Sequence, residues 1–268
     1  MKPLPPASWK VPCRPRRGAA ALAVLLGVLF LAGPGPARAQ SKSDAFAGKI
    51  PPVSAALYRK AGRWETTLSG NISINDPFYS KYFLGAKAGY HFTESLYAGG
   101  LVMTGINTKA GSAQVCPSNG GCSAASQEQM FQVPGNIHLI TGVEGAWAPV
   151  YGKLNFFSEQ VGHFDLSLIG GADWIQYQKV VSAADAQALA ASGSHPPLTS
   201  TFGGHVGLGF RLFFSEWIAG RLEFRDYLYR VEVPNWQENG GPKKDLQNQF
   251  FAELGVSFFF PTGNRPVQ

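Results

Sequence analysis

The sequence predicts an all-β chain, an eight-stranded antiparallel transmembrane β-barrel, and three observations carry that prediction. Over residues 63–74, Trp64, Thr66, Leu68, Gly70, Ile72 and Ile74 alternate with Glu65, Thr67, Ser69, Asn71 and Ser73, the period of two that a strand imposes. The run spans about a dozen residues, longer than an ordinary strand and suited to a tilted membrane span of roughly 9 to 11 residues. The pattern recurs to the end of the chain, giving eight such segments, an even number as in bacterial outer-membrane barrels.

The first element is a targeting segment. Residues 1–39 hold a basic region up to Arg17, an apolar core of about 14 residues and Ala37-Arg38-Ala39, a small-x-small cleavage pattern before Gln40. They read as a cleaved signal peptide, because an anchor helix needs roughly 20 apolar residues. This segment also explains the formal charge of +6: six of the 23 basic residues and none of the 17 acidic ones lie within it, so the remainder balances at 17 against 17. The basicity therefore points to no nucleic acid or acidic partner. One domain fits what remains.

Residues 40–61 are polar and carry Pro51-Pro52, a periplasmic lead-in with a short helical piece expected near 54–60. The first strand ends at Asn75-Asp76-Pro77, where proline has no N–H for a ladder. Strand two is expected over 82–92, a tight turn at Thr93-Glu94-Ser95, and strand three over 96–106. From 107 to 135 alternation disappears and small polar residues dominate, which reads as a long loop. Strand four covers 136–148, with Ile137, Leu139, Thr141, Val143 and Trp147 outward, and 149–162 reads as an irregular connection. Strand five is 163–177. The second long loop, 178–200, carries Ser182 three residues before Asp185, a capping pattern ahead of an alanine-rich run that Gly193 can end, so one short helix is expected there. Strands six (201–213) and seven (217–231) join through Phe214-Ser215-Glu216, and the loop 232–247 leads to strand eight, 248–260. The barrel domain thus occupies 62–262, with a short tail at 263–268.

Alternation alone fits both a soluble barrel with an apolar interior, like a lipocalin carrier, and a membrane barrel with a polar one. The polar face is rich in Gly and Ser, which suits a crowded narrow lumen. Aromatics gather near strand ends (Trp64, Tyr82, Tyr90, Phe92, Trp147, Trp174, Trp217, Phe260), as at lipid headgroups. Long and short connections also alternate. The membrane orientation follows.

That orientation turns Glu65, Lys87, Glu144, Asp165, Asp173, Arg211, Arg221, Glu223, Arg225 and Glu253 into the lumen, together with His91, His138 and His205. Four cations against six anions, in a low dielectric, persist when paired and hydrogen-bonded, so a plug of ion pairs is expected. A proton or ion path is the competing use of the same residues. The five histidines are scattered singly, without zinc-like spacing, so no metal site is expected. In the loop 178–200, His195 with Asp185, Ser192 and Ser194 is the one grouping that could suggest a hydrolase, but loops are generally serine-rich and no catalytic site is assigned. No cofactor and no nucleic acid is implied.

Cys116 and Cys122 are the two cysteines left after signal cleavage, in a chain exported to an oxidising compartment, and the turn-forming Pro117-Ser-Asn-Gly-Gly121 lies between them. A disulfide is expected, with two free thiols as the alternative.

The run 63–97, containing Asn75-Asp76-Pro77-Phe78-Tyr79 and Tyr90-His91-Phe92-Thr93-Glu94, with Pro149-Val-Tyr-Gly-Lys153, Arg221-Leu-Glu-Phe-Arg-Asp226 and Gly255-Val-Ser-Phe-Phe-Phe-Pro261, resembles the outer-membrane β-barrel family abundant in myxobacteria. More distantly it is similar to OmpA-like eight-stranded barrels. The resemblance covers about residues 58 to 262. It implies a location in the outer membrane of a Gram-negative bacterium and, for some relatives, membership of gliding-motility or envelope complexes; it carries no catalytic residues. The expected function is a non-enzymatic structural or interaction barrel with a closed lumen, contacting lipid and other envelope or motility proteins through loops 107–135, 178–200 and 232–247. The alternative is a narrow pore for small solutes or ions.

Overall fold

The computed structural model describes residues 58–116, 120–156, 160–234 and 242–261. The expected signal peptide with its cleavage site at Ala39, the lead-in up to residue 57 and the tail lie outside the described residues; of the helical piece expected near 54–60, Tyr58, Arg59 and Lys60 are described and are not helical. Eight strands close one antiparallel ring: β1 (Trp64–Ser73), β2 (Tyr79–His91), β3 (Leu96–Lys109), β6 (Ile137–Phe156), β7 (Gln160–Gln178), β8 (Leu198–Phe213), β9 (Ile218–Val233) and β10 (Lys243–Phe260). Their order around the ring is β1-β10-β9-β8-β7-β6-β3-β2, with β1 paired to β10 through rungs from Trp64↔Phe260 to Ser73↔Phe251. The ring closes on itself, so no strand of it is left as an open sheet edge along its whole length.

The period of two sets the faces. Along β1, Trp64, Thr66, Leu68, Gly70 and Ile72 are exposed while Glu65, Thr67, Ser69 and Asn71 are buried, and β2, β7, β8, β9 and β10 follow the same rule. Short turns gather at one end. In the β2–β3 turn, the Thr93 hydroxyl accepts from the N–H groups of Ser95 (3.2 Å) and Leu96 (3.0 Å), and Phe214 N–H donates to Ile218 C=O (3.1 Å) between β8 and β9. The long loops gather at the other end.

Several expected boundaries move. The connection 149–162 is mostly strand: β6 continues to Phe156 and β7 starts at Gln160, forming a hairpin that extends past the turn-end rim. A register shift between Trp147 and Val150 breaks the alternation there, and Pro149 sits inside it, where its missing N–H costs no rung. The loop 232–247 shrinks from both sides, since β9 reaches Val233 and β10 begins at Lys243. Likewise β7 ends at Gln178 and β8 begins at Leu198, which shortens the loop 178–200.

The loop 107–135 is structured. β3 runs on to Lys109, and a two-rung ribbon of β4 (Gln114–Val115) and β5 (Ser123–Ala124) follows. Helix α1 (Gln127–Met130) comes next; Ser126 and Gln129 cap it reciprocally, the capping box of a helix too short to show a 3.6-residue period. Cys116 and Cys122 are joined by a disulfide at the tip. Helix α2 (Ala183–Ala191) forms as expected, with the Ser182 hydroxyl accepting from Asp185 N–H at 3.3 Å and Gly193 at φ +66° just beyond it. Val181 N–H donates to Phe131 C=O at 3.2 Å, tying the two loops together.

The interior is layered. Toward the loop end Phe83, Leu101, Ile137, Ile140, Ile175, Tyr229 and Phe251 pack as one apolar cluster. Below it lies a belt of charged side chains, and at the turn end Phe213, Ala219 and Phe259 pack with Tyr58 and Tyr151. A polar lumen plugged by ion pairs is expected from the sequence, and the apolar layer above the plug, of which inward Phe83 alone stands in the alternation, is a correction to it. Its origin on β6 is a second irregularity: the register shifts between Ile137 and Leu139, so Ile137 and Ile140 both turn inward and His138 stays half-buried. Ile137 therefore leaves the outward face assigned to it, and His138 leaves the lumen set.

Candidate functional site

The charged belt is the chemically distinctive part of the molecule. Apart from Lys60, each of its acids and bases sits at an inward position of a barrel strand, and the ten residues expected there are all buried. The belt opens at Lys60, whose ammonium donates to Asp165 Oδ2 at 2.6 Å. Asp165 Oδ2 also accepts from Arg211 Nη1 at 3.2 Å, and Arg211 Nη2 donates to Glu65 Oε2 at 3.0 Å. Glu65 is held further by His91 Nε2 at 2.6 Å and Arg221 Nη1 at 3.0 Å.

Arg221 passes the chain on to Glu223, its Nε donating to Oε1 at 2.7 Å. Glu223 Oε2 accepts from Lys87 Nζ and from Arg225 Nη2, each at 2.7 Å, so three cations converge on one carboxylate. Lys87 also pairs with Glu253, whose Oε2 lies 3.6 Å from Arg225 Nε. Arg225 Nη1 then reaches Glu144 Oε2 at 2.5 Å. Finally His205 bridges Arg225 and Asp173, with Nε2 at 3.3 Å from Arg225 Nη1 and Nδ1 at 2.7 Å from Asp173 Oδ2. A guanidinium can only donate, so Nε2 is the acceptor and the ring proton is assigned to Nδ1.

All ten expected residues thus belong to one continuous network, with His91 and His205 in it and His138 outside. Every strand of the ring except β3 contributes. Lys60 is the member that sequence reasoning missed, since it precedes β1 and has no alternation to place it. A signal was available: four cations facing six anions leave a deficit, and Lys60 supplies a fifth cation. Burial pulls the Lys60 pKa below its ordinary 10.5, with the neighbouring Asp165 carboxylate opposing that shift.

Glycines make room for the crossing side chains. A Cβ on Gly171 would come within 2.5 Å of His205 Cε1, and one on Gly89 within 2.5 Å of Tyr97 Cζ. The glycine-rich face is therefore occupied by neighbouring side chains, as in a narrow barrel filled by its own residues.

The turn end is sealed by Tyr58, Lys60 and Arg63. Tyr58 stacks on Phe213 with ring centroids 5.6 Å apart and meets His163 edge-on at 5.1 Å. Arg63 donates to the C=O of Glu216 (2.7 Å) and of Pro261 (2.8 Å), fixing the entry and exit of the chain to the β8–β9 turn. At the loop end Asp76 accepts from the N–H groups of Phe78 and Tyr79 through Oδ1, while its Oδ2 lies 2.6 Å from the buried Lys81 ammonium.

The loop residues weighed for hydrolysis are otherwise engaged. The Ser182 hydroxyl donates to Asp185 Oδ2 at 2.7 Å, the Ser192 hydroxyl donates to Leu189 C=O at 3.0 Å, and the His195 ring packs on Phe131 at 5.7 Å. Among the described residues no group of three or more His, Cys, Asp or Glu is placed to hold a metal ion.

No family model matches the chain, and no curated protein matches it. Among solved structures it is similar to the N-terminal β-barrel domain of Pseudomonas aeruginosa OprF, at 11% identity over 75% of this chain and 98% of that one, with a TM-score of 0.42. It is also similar to the outer membrane protein OprG of Pseudomonas aeruginosa (12% identity, 76% and 98% covered, TM-score 0.40) and to Neisserial surface protein A (10%, 74% and 94%, TM-score 0.33).

Proposed function

We propose that this chain is an integral, non-enzymatic β-barrel of the bacterial outer membrane whose lumen is closed, and that it serves the envelope as a structural and interaction component. One observation carries the reading. The polarity of a water-soluble protein is inverted here: Leu84, Phe202 and Leu254 are 71%, 83% and 70% exposed on the outside, whereas Glu65, Arg221 and Glu253 are 1–2% exposed inside. Large apolar side chains around a whole ring would aggregate in water and are at home in lipid. Trp64, Phe92, Trp147, Trp217 and Phe260 gather near the turn end, and Tyr82 and Trp174 toward the loop end, as interfacial girdles do. The short turns then face the periplasm and the long loops face outward.

Closure is supported by two barriers in series. The ion-pair belt fills the turn-end half, and the apolar layer of Ile137, Ile140, Ile175 and Phe251 above it offers an ion no replacement for its hydration shell. The resemblance to the myxobacterial barrel family suggests the finer role, membership of an envelope or gliding-motility complex engaged through the outer loops. Planar-bilayer recording tests the closed lumen, for which no sustained single-channel current is expected; a steady open-channel current would make the protein a narrow pore. Crosslinking in intact cells, read by mass spectrometry, tests the interaction role: a reproducible envelope partner joined to the loops is expected, and an empty result across all three loops counts against it.

A further inference from the structure

The ladder between β8 and β9 stops short of the loop end. β8 stays paired with β7 up to Gln178↔Leu198, and β9 stays paired with β10 up to Val233↔Lys243, yet the last rung that β8 and β9 share is Gly203↔Tyr229. Residues 198–202 and 230–233 therefore face one another across an open seam in the wall. A cavity of about 350 Å³ occupies it, lined among others by Tyr177, Ser200, Phe202, Arg230 and Lys244. The buried Tyr177 backs the seam, and its hydroxyl accepts from Glu232 N–H at 3.3 Å, a link across the gap that the missing rungs would otherwise provide.

The chemistry of the seam is two-sided. Alternation places Ser200 and Phe202 on the outer face of β8, and Arg230 on the outer face of β9. Phe202, 83% exposed, shares a rung with Trp174, in the aromatic zone where an apolar belt gives way to headgroups. Arg230 follows directly after the last shared rung, level with Phe202, and has no ion pair or side-chain hydrogen bond among the described residues. Lys244 lies 3.9 Å from Glu232, but both are well exposed, so that pair holds the ammonium weakly. The seam thus carries one unmatched guanidinium and one ammonium loosely matched by the Glu232 carboxylate, a net positive charge, above the exposed apolar side chains of Phe202 and Leu228.

We propose that the β8–β9 seam binds the phosphorylated headgroup of an outer-leaflet lipid. Arg230 and Lys244 take the phosphate oxygens, the guanidinium through its fork of donors, the Ser200 hydroxyl donates a further bond, and the acyl chains lie along Phe202 and Leu228. The opening of the ladder gives the headgroup a recess rather than a flat wall, which raises the strength of each contact by excluding part of the water. This inference rests on the membrane-spanning reading above.

Native mass spectrometry of the full barrel in detergent, titrated with diphosphorylated lipid A and with the same lipid stripped of its phosphates, tests it. The phosphorylated lipid is expected to be retained preferentially, and the double variant Arg230→Ala/Lys244→Ala to hold it about tenfold more weakly, the loss of a charge-assisted contact. The heat-modified gel shift of that variant should stay as in the parent chain, since neither side chain belongs to the interior. Equal retention of both lipids, or unchanged affinity in the double variant, overturns the proposal. Full displacement by soluble pyrophosphate assigns the seam to a free phosphate compound and overturns the lipid source. Insertion into phosphatidylcholine vesicles, scored by protease protection, separates the two levels: a chain that fails to insert undermines the membrane reading, whereas one that inserts without phosphate preference undermines this inference alone.

Discussion

Arg221 and Glu65 meet at 3.0 Å although 156 positions separate them in the chain and β10 stands between their strands. A backbone ladder bonds each strand only to its neighbours, so contacts of this kind are struts across the lumen. Arg211 adds a second strut to the same carboxylate, from β8 to β1, and Arg225 a third, from β9 to Glu144 on β6. Such struts are favourable only as a complete set, because a buried charge left without its partner retains its desolvation cost.

Glu223 is where that dependence is sharpest. Its carboxylate is shared by Lys87, Arg221 and Arg225, so Glu223→Ala leaves three cations facing one another. The variant should be destabilised by roughly 3 to 5 kcal/mol if the lumen is dry. Urea unfolding of the refolded barrel measures it, and a midpoint equal to that of the parent chain would mean that water reaches the belt and replaces the lost anion.

Outward and inward positions of the barrel should respond to substitution to different extents. Leu222 is an outward residue of β9 paired with Leu254 and Phe210, and Leu222→Arg should cost about 2 to 4 kcal/mol near the bilayer midplane. Ser257 is fully buried with its hydroxyl 2.7 Å from that of Thr67, and Ser257→Ala should cost roughly 1 kcal/mol, one hydrogen bond. A nitroxide at position 222 should be relaxed by oxygen and not by a water-soluble nickel chelate. The reverse accessibility would mean that the strand faces have been exchanged.

How far the sequence shows this molecule depends on the range of the physics involved. Alternation is local, so the inward placement of Glu65, Lys87 or Arg225 can be read from neighbours two residues away. Which acid meets which base cannot, because Glu65 finds Arg221 through the curvature and register of the closed ring. The two register shifts on β6 were equally hidden: each inserts residues that the partner strand does not match, and a period of two restarts in the other phase, which is how Ile137 came to be placed outward and His138 inward. Helix α2 was legible because Ser182 and Gly193 mark both of its ends. Helix α1, four residues long, offered a cap and no period. The apolar layer was half visible: inward Phe83 stood in the alternation of β2, but one aromatic among glycines does not predict a cluster that six strands assemble.

Lys60 gives the barrel a specific response to alkaline pH. Its burial places the folded-state pKa below 10.5, so between that lowered value and 10.5 the unfolded chain binds more protons than the folded one, and stability rises with pH through that window. Lys60→Met, which keeps the chain length and leaves Asp165 with Arg211, should remove this increment. The difference in unfolding free energy between parent and variant, followed upward from neutral pH, should therefore shift in favour of the parent. A difference that stays constant with pH would show that Lys60 is solvated in the folded barrel.

The disulfide should act on its loop and leave the barrel alone. Cys116 and Cys122 close a short loop six residues apart at the tip of the connection between β3 and β6, so cross-linking removes limited chain entropy, roughly 2 to 2.5 kcal/mol in the loop-closure model. That stabilisation opposes local opening of β4, β5 and the chain leading to α1, where the β4–β5 ribbon has just two rungs and could not hold itself together. The strands below are fixed by a closed ladder and by the charged belt, neither of which includes either cysteine. Cys116→Ser/Cys122→Ser should therefore speed proteolytic cleavage between residues 110 and 126 by an order of magnitude or more while leaving the unfolding midpoint of the barrel within about 0.5 kcal/mol of the parent, the usual range for a surface change. Limited proteolysis with mass-spectrometric mapping, run beside urea unfolding, separates the two effects. A fall in barrel stability equal to the whole loop-closure figure would show that the outer loop and the strands unfold as one unit, and both thiols alkylating in the unreduced parent would remove the bond itself.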